Sequence, residues 1–218
     1  MGLSVPLVRV KSTEVHLRWE LTHGIHSQGP AQGESLPVFF SRVDAQEDLL
    51  QRVRLKAPED EHGVAHAFFE PGTYRLKSRP AGKIYVARAT SGGTDLLRED
   101  LVVDAGSAPA AIEIVLRDDR AKIDGKVAGA TSLEEGRVIA VPEDSIKQGI
   151  STGVAADGSF HFGDLAPGRY SIVALQNADT LDLDDAQSAA RVERMGDVTE
   201  VQADTTVAVK LQWKRWDQ

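Results

Sequence analysis

The sequence FFEPGTYRL at residues 68–76 returns as FGDLAPGRYSI at residues 162–172, and the tyrosines of the two copies, Tyr74 and Tyr170, lie 96 residues apart. Proline presets the backbone at the second position of a tight turn, and glycine accepts the positive φ that follows. Each copy therefore predicts a strand, a turn and a second strand that opens at the tyrosine. Two copies at this spacing predict two tandem domains of one kind.

Alternation of apolar and polar residues dominates the rest of the chain, as in half-buried strands. The same offset recurs outside the turn, since Ile112, Ile114 and Leu116 match Val207, Val209 and Leu211 at 95 residues. Asp157-Gly158 adds a hairpin signal. We therefore predict an all-β chain of two antiparallel β-sandwich domains, residues 1–118 and 119–218. The predicted strands are 15–21, 36–43, 49–57, 64–69, 74–78, 84–89, 101–103 and 112–116, then 123–127, 138–141, 160–162, 170–175, 198–201 and 207–211.

The predicted linker, residues 117–122, is short and has no Pro, Gly or Ser tract. Such a linker favours one end-to-end orientation of the two domains. Residues 5–11 resemble a closing strand of a preceding repeat, so the chain is expected to be part of a longer one. Residues 23–35 predict a loop, and residues 179–195 predict a loop with one short helix.

Composition excludes several function classes. The net charge is −8, with −2 in residues 1–118 and −6 in residues 119–218, which argues against generic nucleic-acid binding. The absence of cysteine excludes disulfides, cysteine-ligated zinc and thiol nucleophiles. No apolar run is long enough to span a membrane, and the first residues lack the pattern of a signal peptide.

Candidate chemical sites are few, and we expect no catalytic, metal or cofactor site. No GxSxG, HExxH or phosphate-binding glycine loop is present. Two histidine pairs and one aspartate group are candidate metal ligands, but none of the three has a known ligand spacing. They are His23 with His26, His62 with His66, and the group Asp179, Asp182, Asp184 and Asp185. The remaining histidines, His16 and His161, are isolated in sequence. Some of the aspartates also suit the start of a helix near Ala186.

Two surface features remain as candidate binding sites. Arg52, Arg54 and Lys56 project from one face of a strand, beside Arg42 on a neighbouring strand, and could receive an acidic partner or a polysaccharide; the alternative is the charged outer face of a sandwich. Trp213 continues the apolar alternation of the last strand and is expected in the core or an interface. Trp216 either stacks on carbohydrate or packs on its own domain.

With the two turns, the Asp157–Phe162 segment and the closing strands, the chain resembles the carboxypeptidase regulatory-like domain, a transthyretin-like β-sandwich that also resembles starch-binding domains. The resemblance is best over residues 121–211. It implies extracytoplasmic residence and no catalysis, hence a spacer or binding scaffold with a protein or polysaccharide partner in a larger bacterial protein. The alternatives are a carbohydrate-binding module or accessory domains of a secreted peptidase. Related adhesin modules form Lys–Asn crosslinks, but Asn177 is the only asparagine and lies outside both closing strands.

Overall fold

A computed structural model describes residues 11–22, 35–43, 52–57, 64–78, 84–129, 136–143, 149–178, 181–183 and 185–216. The chain divides into two compact units, Met1–Ala81 with Val86–Arg117 and Gly82–Tyr85 with Asp118–Gln218. The described residues are mostly strand with one helix, so the prediction of an all-β fold with β-sandwich domains is confirmed. Residues 5–10 and 23–34, which carried two of the predictions, lie outside the described part.

Two sheets form the first unit, with strand orders β4-β1-β9-β6-β7 and β3-β2-β5-β8. They pack face to face: the Phe40 ring from one sheet meets the Phe69 ring from the other at 5.2 Å, edge to face, and Phe69 meets Tyr74 at 5.1 Å. The strands are β1 (Lys11–Glu20), β2 (Ser35–Arg42), β3 (Arg52–Lys56), β4 (Val64–Phe69), β5 (Gly72–Ser78), β6 (Tyr85–Ser91), β7 (Thr94–Asp95), β8 (Leu101–Val103) and β9 (Ile112–Arg117).

The second unit repeats seven of these nine strands, without counterparts of β6 and β7, and has a helix between its fifth and sixth strands. Its seven-stranded sheet runs β12-β11-β14-β16-β10-β13, and β15 pairs with β14. The long β16 pairs first with β10 and then, from Trp213, with β14, which joins the two layers along one side. The elements are β10 (Ala121–Ala128), β11 (Gly136–Pro142), β12 (Ile150–Gly153), β13 (Ser159–Leu165), β14 (Gly168–Gln176), α1 (Ala186–Met195), β15 (Asp197–Val201) and β16 (Thr206–Arg215).

The hydrogen-bond registers establish the duplication strand by strand. In each unit the first strand pairs antiparallel with the fourth and parallel with the last, as β1 does with β4 and β9 and β10 does with β13 and β16. These parallel pairs make the sheets mixed, because first and last strands lie side by side and run the same way. Phe39 pairs with Lys77 in β5, and Ile139 pairs with Val173 in β14, which makes β2 equivalent to β11.

The repeated Pro-Gly turn carries the chain from one layer to the other. Gly72 and Gly168 begin β5 and β14 with φ of +154° and +151°. Both glycines therefore take the positive φ that the repeated turn predicts. Asp157-Gly158 forms the predicted tight turn: the Gly158 amide donates to the Ala155 carbonyl, and the Ala155 amide donates to the Ser159 carbonyl, both at 2.8 Å. Beyond this turn, β12 and β13 pair with other strands.

The connection between the repeats is shorter than predicted. Strand β9 ends at Arg117 and β10 begins at Ala121, which leaves residues 118–120 rather than 117–122. The start of the second unit is fixed by Arg120, whose side chain contacts the Asp164 carboxylate and whose carbonyl accepts from the Asp204 amide at 2.9 Å.

Helix α1 gives the second unit an additional apolar layer. The side chain of Asp185 caps the helix by accepting from the Ser188 amide at 2.8 Å, which confirms both the short helix and the helix-start role of an aspartate. Apolar helix residues, Val192 among them, cover the outer side of β11 and β14, where Ile139, Val173 and Leu175 are buried. Strand β14 is therefore buried on both faces.

Candidate functional site

The described histidines are His16 and His66, on the paired strands β1 and β4 with His66 opposite Glu14, and His161 on β13. His66 Nδ1 lies 3.1 Å from the Ser12 hydroxyl oxygen. His16 lies between two carboxylates, with Nε2 3.3 Å from Glu14 and Nδ1 3.6 Å from Glu113. His161 Nδ1 lies 2.5 Å from the Asp124 carboxylate. No group of three metal-ligating side chains occurs among the described residues. His23, His26 and His62 lie outside them.

The aspartate group is partly described. Asp179 and Asp184 lie outside the described residues, Asp182 is exposed, and Asp185 is the helix cap. The Ser188 backbone amide, which donates to the Asp185 carboxylate, lowers the pKa of Asp185 below its ordinary value. This geometry gives Asp185 a structural role at the start of α1.

Neither C-terminal tryptophan offers an open stacking surface. Trp216 is 8% exposed, and the Arg191 guanidinium of α1 lies 4.5 Å from its ring centroid, so it packs on its own domain. Trp213 packs against the core of the second unit, as expected. Its ring lies over Gly136, where an added Cβ atom would come within 2.2 Å of the ring atom Cη2. The large apolar side chains that are exposed among the described residues include one aromatic residue, Phe68.

The outer surface of the sheet β3-β2-β5-β8 carries several basic side chains. Residues paired across a sheet share a face, and the register gives two rows on this face. One row is Arg52, Ser41 and Arg75, and the other is Arg54, Phe39 and Lys77. We call the basic residues of this surface the cationic face: Arg52, Arg54, Lys56, Arg75 and Lys77.

Local contacts shape the cationic face. Arg52 lies 5.3 Å from the centroid of the Phe39 ring, and Arg75 is held by two contacts to the Asp100 carboxylate, at 3.1 and 3.3 Å. Arg52, Arg54 and Lys56 are exposed. The placement of Arg42 beside them is corrected: it lies on the inward-facing side of β2 at the strand end, and its guanidinium contacts Glu70 and the Pro71 carbonyl.

Sequence reasoning found the β3 half of this face and missed Arg75 and Lys77. Both occupy the alternate positions along β5 whose side chains face outward, but only the pairing of β5 with β2 places them on the same surface as β3. A pairing over this sequence distance is not encoded by any local motif.

Comparisons with known proteins give a fold likeness and no family. No family model and no curated protein matches the chain. Similar solved structures include the Bacillus anthracis TIE protein (14% identity, TM-score 0.32), the minor pilin of Streptococcus agalactiae (10%, 0.36) and the major pilin of Streptococcus pyogenes (11%, 0.25). The match to the TIE protein covers 94% of this chain and 34% of that protein, so the chain spans about a third of its length. The match to the minor pilin covers 93% of this chain and 96% of the pilin, and that to the major pilin covers 96% and 100%.

At these identities and TM-scores the likeness assigns no function. The chain is an all-β protein built from β-sandwich units. Within the described residues, no helix is long and apolar enough to cross a bilayer.

Proposed function

We propose that this chain is a non-enzymatic segment of two β-sandwich domains that acts as a spacer or binding scaffold in a larger extracytoplasmic bacterial protein. The observation that best supports this proposal is the strand order shared by the two units, each of which has its own buried core. The described residues bring together no group of metal-ligating side chains, and they include a sheet face with several basic side chains.

The carboxypeptidase regulatory-like resemblance supports the extracytoplasmic location. Its turn residues take equivalent positions in both units: Pro71-Gly72 and Pro167-Gly168 each precede a buried tyrosine at the start of a strand. Antibody labelling of the cell surface, the periplasmic extract and the medium of the source bacterium tests this location. A signal confined to the cytoplasmic fraction would contradict it.

The spacer role requires a preferred extended arrangement, an expectation that comes from the short connection between the repeats. Small-angle scattering on the monomer measures it. A single compact globule of this length would have a radius of gyration of about 17 Å. We expect a distinctly larger value, and a globular profile at that value would exclude the spacer.

A carbohydrate-binding module is the second candidate. A third is an accessory role in a secreted peptidase, which a catalytic domain in the full-length gene would reveal. A neutral carbohydrate module of the stacking type would present several exposed aromatic rings. Phe68, at 60%, is the one exposed ring among the described aromatic residues, while Phe39 is partly covered by Arg52. Charge rather than ring stacking is therefore the chemistry available to a carbohydrate ligand here.

A further inference from the structure

We propose that the cationic face binds an anionic polysaccharide, one that carries carboxylate or sulfate groups along an extended chain. This inference rests on the proposed binding-scaffold function and names the ligand class of one surface in it.

The comparison between the repeats is the first argument. The row Arg54, Phe39 and Lys77 in the first unit corresponds to Ser151, Ile139 and Val173 in the second. In the second unit this face is apolar at Ile139 and Val173 and is covered by α1. In the first unit Lys77 and Arg54 take the places of Val173 and Ser151, while Phe39 takes that of Ile139. The one helix among the described residues packs on β11 and β14. One fold thus has a sealed face and a charged face at equivalent positions.

The geometry of the cations is the second argument. Residues two apart on a strand are about 7 Å apart, and the outer strands β3 and β5 are about 10 Å apart across β2. Cations at this spacing on a flat sheet do not converge on a single small anion. They match a polymer that presents acidic groups at intervals along its length.

The charge balance is the third argument. The two rows themselves contain no acidic side chain, and Asp100, which precedes β8, is bound to Arg75. Arg54 and Lys56 have no ion-pair partner among the described residues, and both are exposed. Their charges remain available for a partner of opposite sign.

The same features disfavour nucleic acid. Single-stranded nucleic acid is bound on several aromatic platforms in a basic groove. The two rows contain one ring, Phe39, and it is already in contact with Arg52.

The test is binding of the full chain to heparin, which presents sulfate, and to polygalacturonate, which presents only carboxylate, with neutral dextran as the blank. We expect binding to at least one acidic polymer that weakens as salt rises. Replacing Arg52, Arg54 and Lys56 together by glutamine is expected to weaken it roughly tenfold. The acidic polymer that binds more tightly identifies the acidic group.

The control removes three exposed positive charges from a sheet face of the second unit: Lys122, Lys126 and Lys210, each to glutamine. It is expected to change the affinity less than about twofold. If the triple variant unfolds, Arg54→Gln alone tests the same prediction. We expect it to weaken binding of the acidic polymer roughly twofold with an unchanged melting temperature.

Three results would overturn the proposal. They are no binding of either acidic polymer at low salt, an equal loss in the control variant, and tighter binding of a single-stranded oligonucleotide or of polyglutamate than of both polysaccharides. None of these would bear on the cell-labelling or scattering results, so the proposed spacer function stands or falls separately.

Discussion

Tyr74 and Tyr170 occupy the same place in the two units. Each ring is buried, with 1% and 4% of its surface exposed, and each hydroxyl donates to the carbonyl four residues earlier, Glu70 at 3.0 Å and Ala166 at 2.7 Å. The prediction that the repeated turn delivers equivalent buried tyrosines at the start of equivalent strands is thus confirmed. The bond ties each strand start back to the residue before the Pro-Gly pair.

Removing either hydroxyl is expected to destabilise its unit to a similar extent. Tyr74→Phe and Tyr170→Phe each leave a carbonyl without this donor while keeping the ring, and the expected loss is about 1 kcal/mol each. Chemical denaturation of the single variants measures it. A loss confined to one of the two tyrosines would mean that the bonds are geometrically alike but energetically different.

Gly168→Val is expected to destabilise the second unit by about 1 to 3 kcal/mol, because a β-branched residue is forced to positive φ. A Cβ atom at Gly168 meets no atom within 4 Å, so the effect would come from the backbone alone. Gly153→Val is the control, since Gly153 also has open space around its Cβ position and no positive φ is recorded there. Equal melting temperatures for the two variants would refute the backbone explanation.

Gly125 is expected to be intolerant of any side chain for a different reason. Its Cβ would lie 2.1 Å from Cζ of Phe160, the residue opposite it in β13. Gly125→Ala should therefore cost about 1 to 3 kcal/mol through overpacking. In a Phe160→Ala background the same change should cost much less, as a double-mutant cycle would show. Additive losses would place the cause elsewhere.

Asp185 gives the stability of α1 a pH dependence of known sign. The pKa of its carboxyl is lowered in the folded protein by the Ser188 amide, so the ionised cap stabilises the fold above the pKa of the unfolded chain. That contribution is lost as the pH falls through the folded-state pKa. The melting-temperature difference between the protein and Asp185→Asn should shrink from about pH 6 to about pH 3. Asp185→Ala, which also lacks the acceptor, should melt below Asp185→Asn at pH 6.

Chelation is expected to leave the melting temperature unchanged. The described histidines have separate partners, and the described residues contain no group of three ligating side chains. Thermal melting with and without EDTA measures this. A drop of several degrees would point to His23 with His26, or to the segment around Asp179 and Asp184.

The sequence by itself determined the strands, the duplication and the start of the helix. The predicted strands 64–69 and 101–103 coincide with β4 and β8, and the paired tyrosines mark equivalent strands. These features depend on a two-residue period and on turn residues, which act over a few positions of the chain. The short polar strand β12 lacked that period and was missed.

Only the tertiary structure decided which strands pair and which faces are covered. Asp157-Gly158 encodes a turn, but long-range packing sends β12 to β11 and β13 to β10. The same packing aligns Lys77 and Arg54 on either side of Phe39, and it seals the equivalent face of the second unit under α1. The free energy of these arrangements comes from contacts between residues far apart in the chain, so no local pattern specifies them.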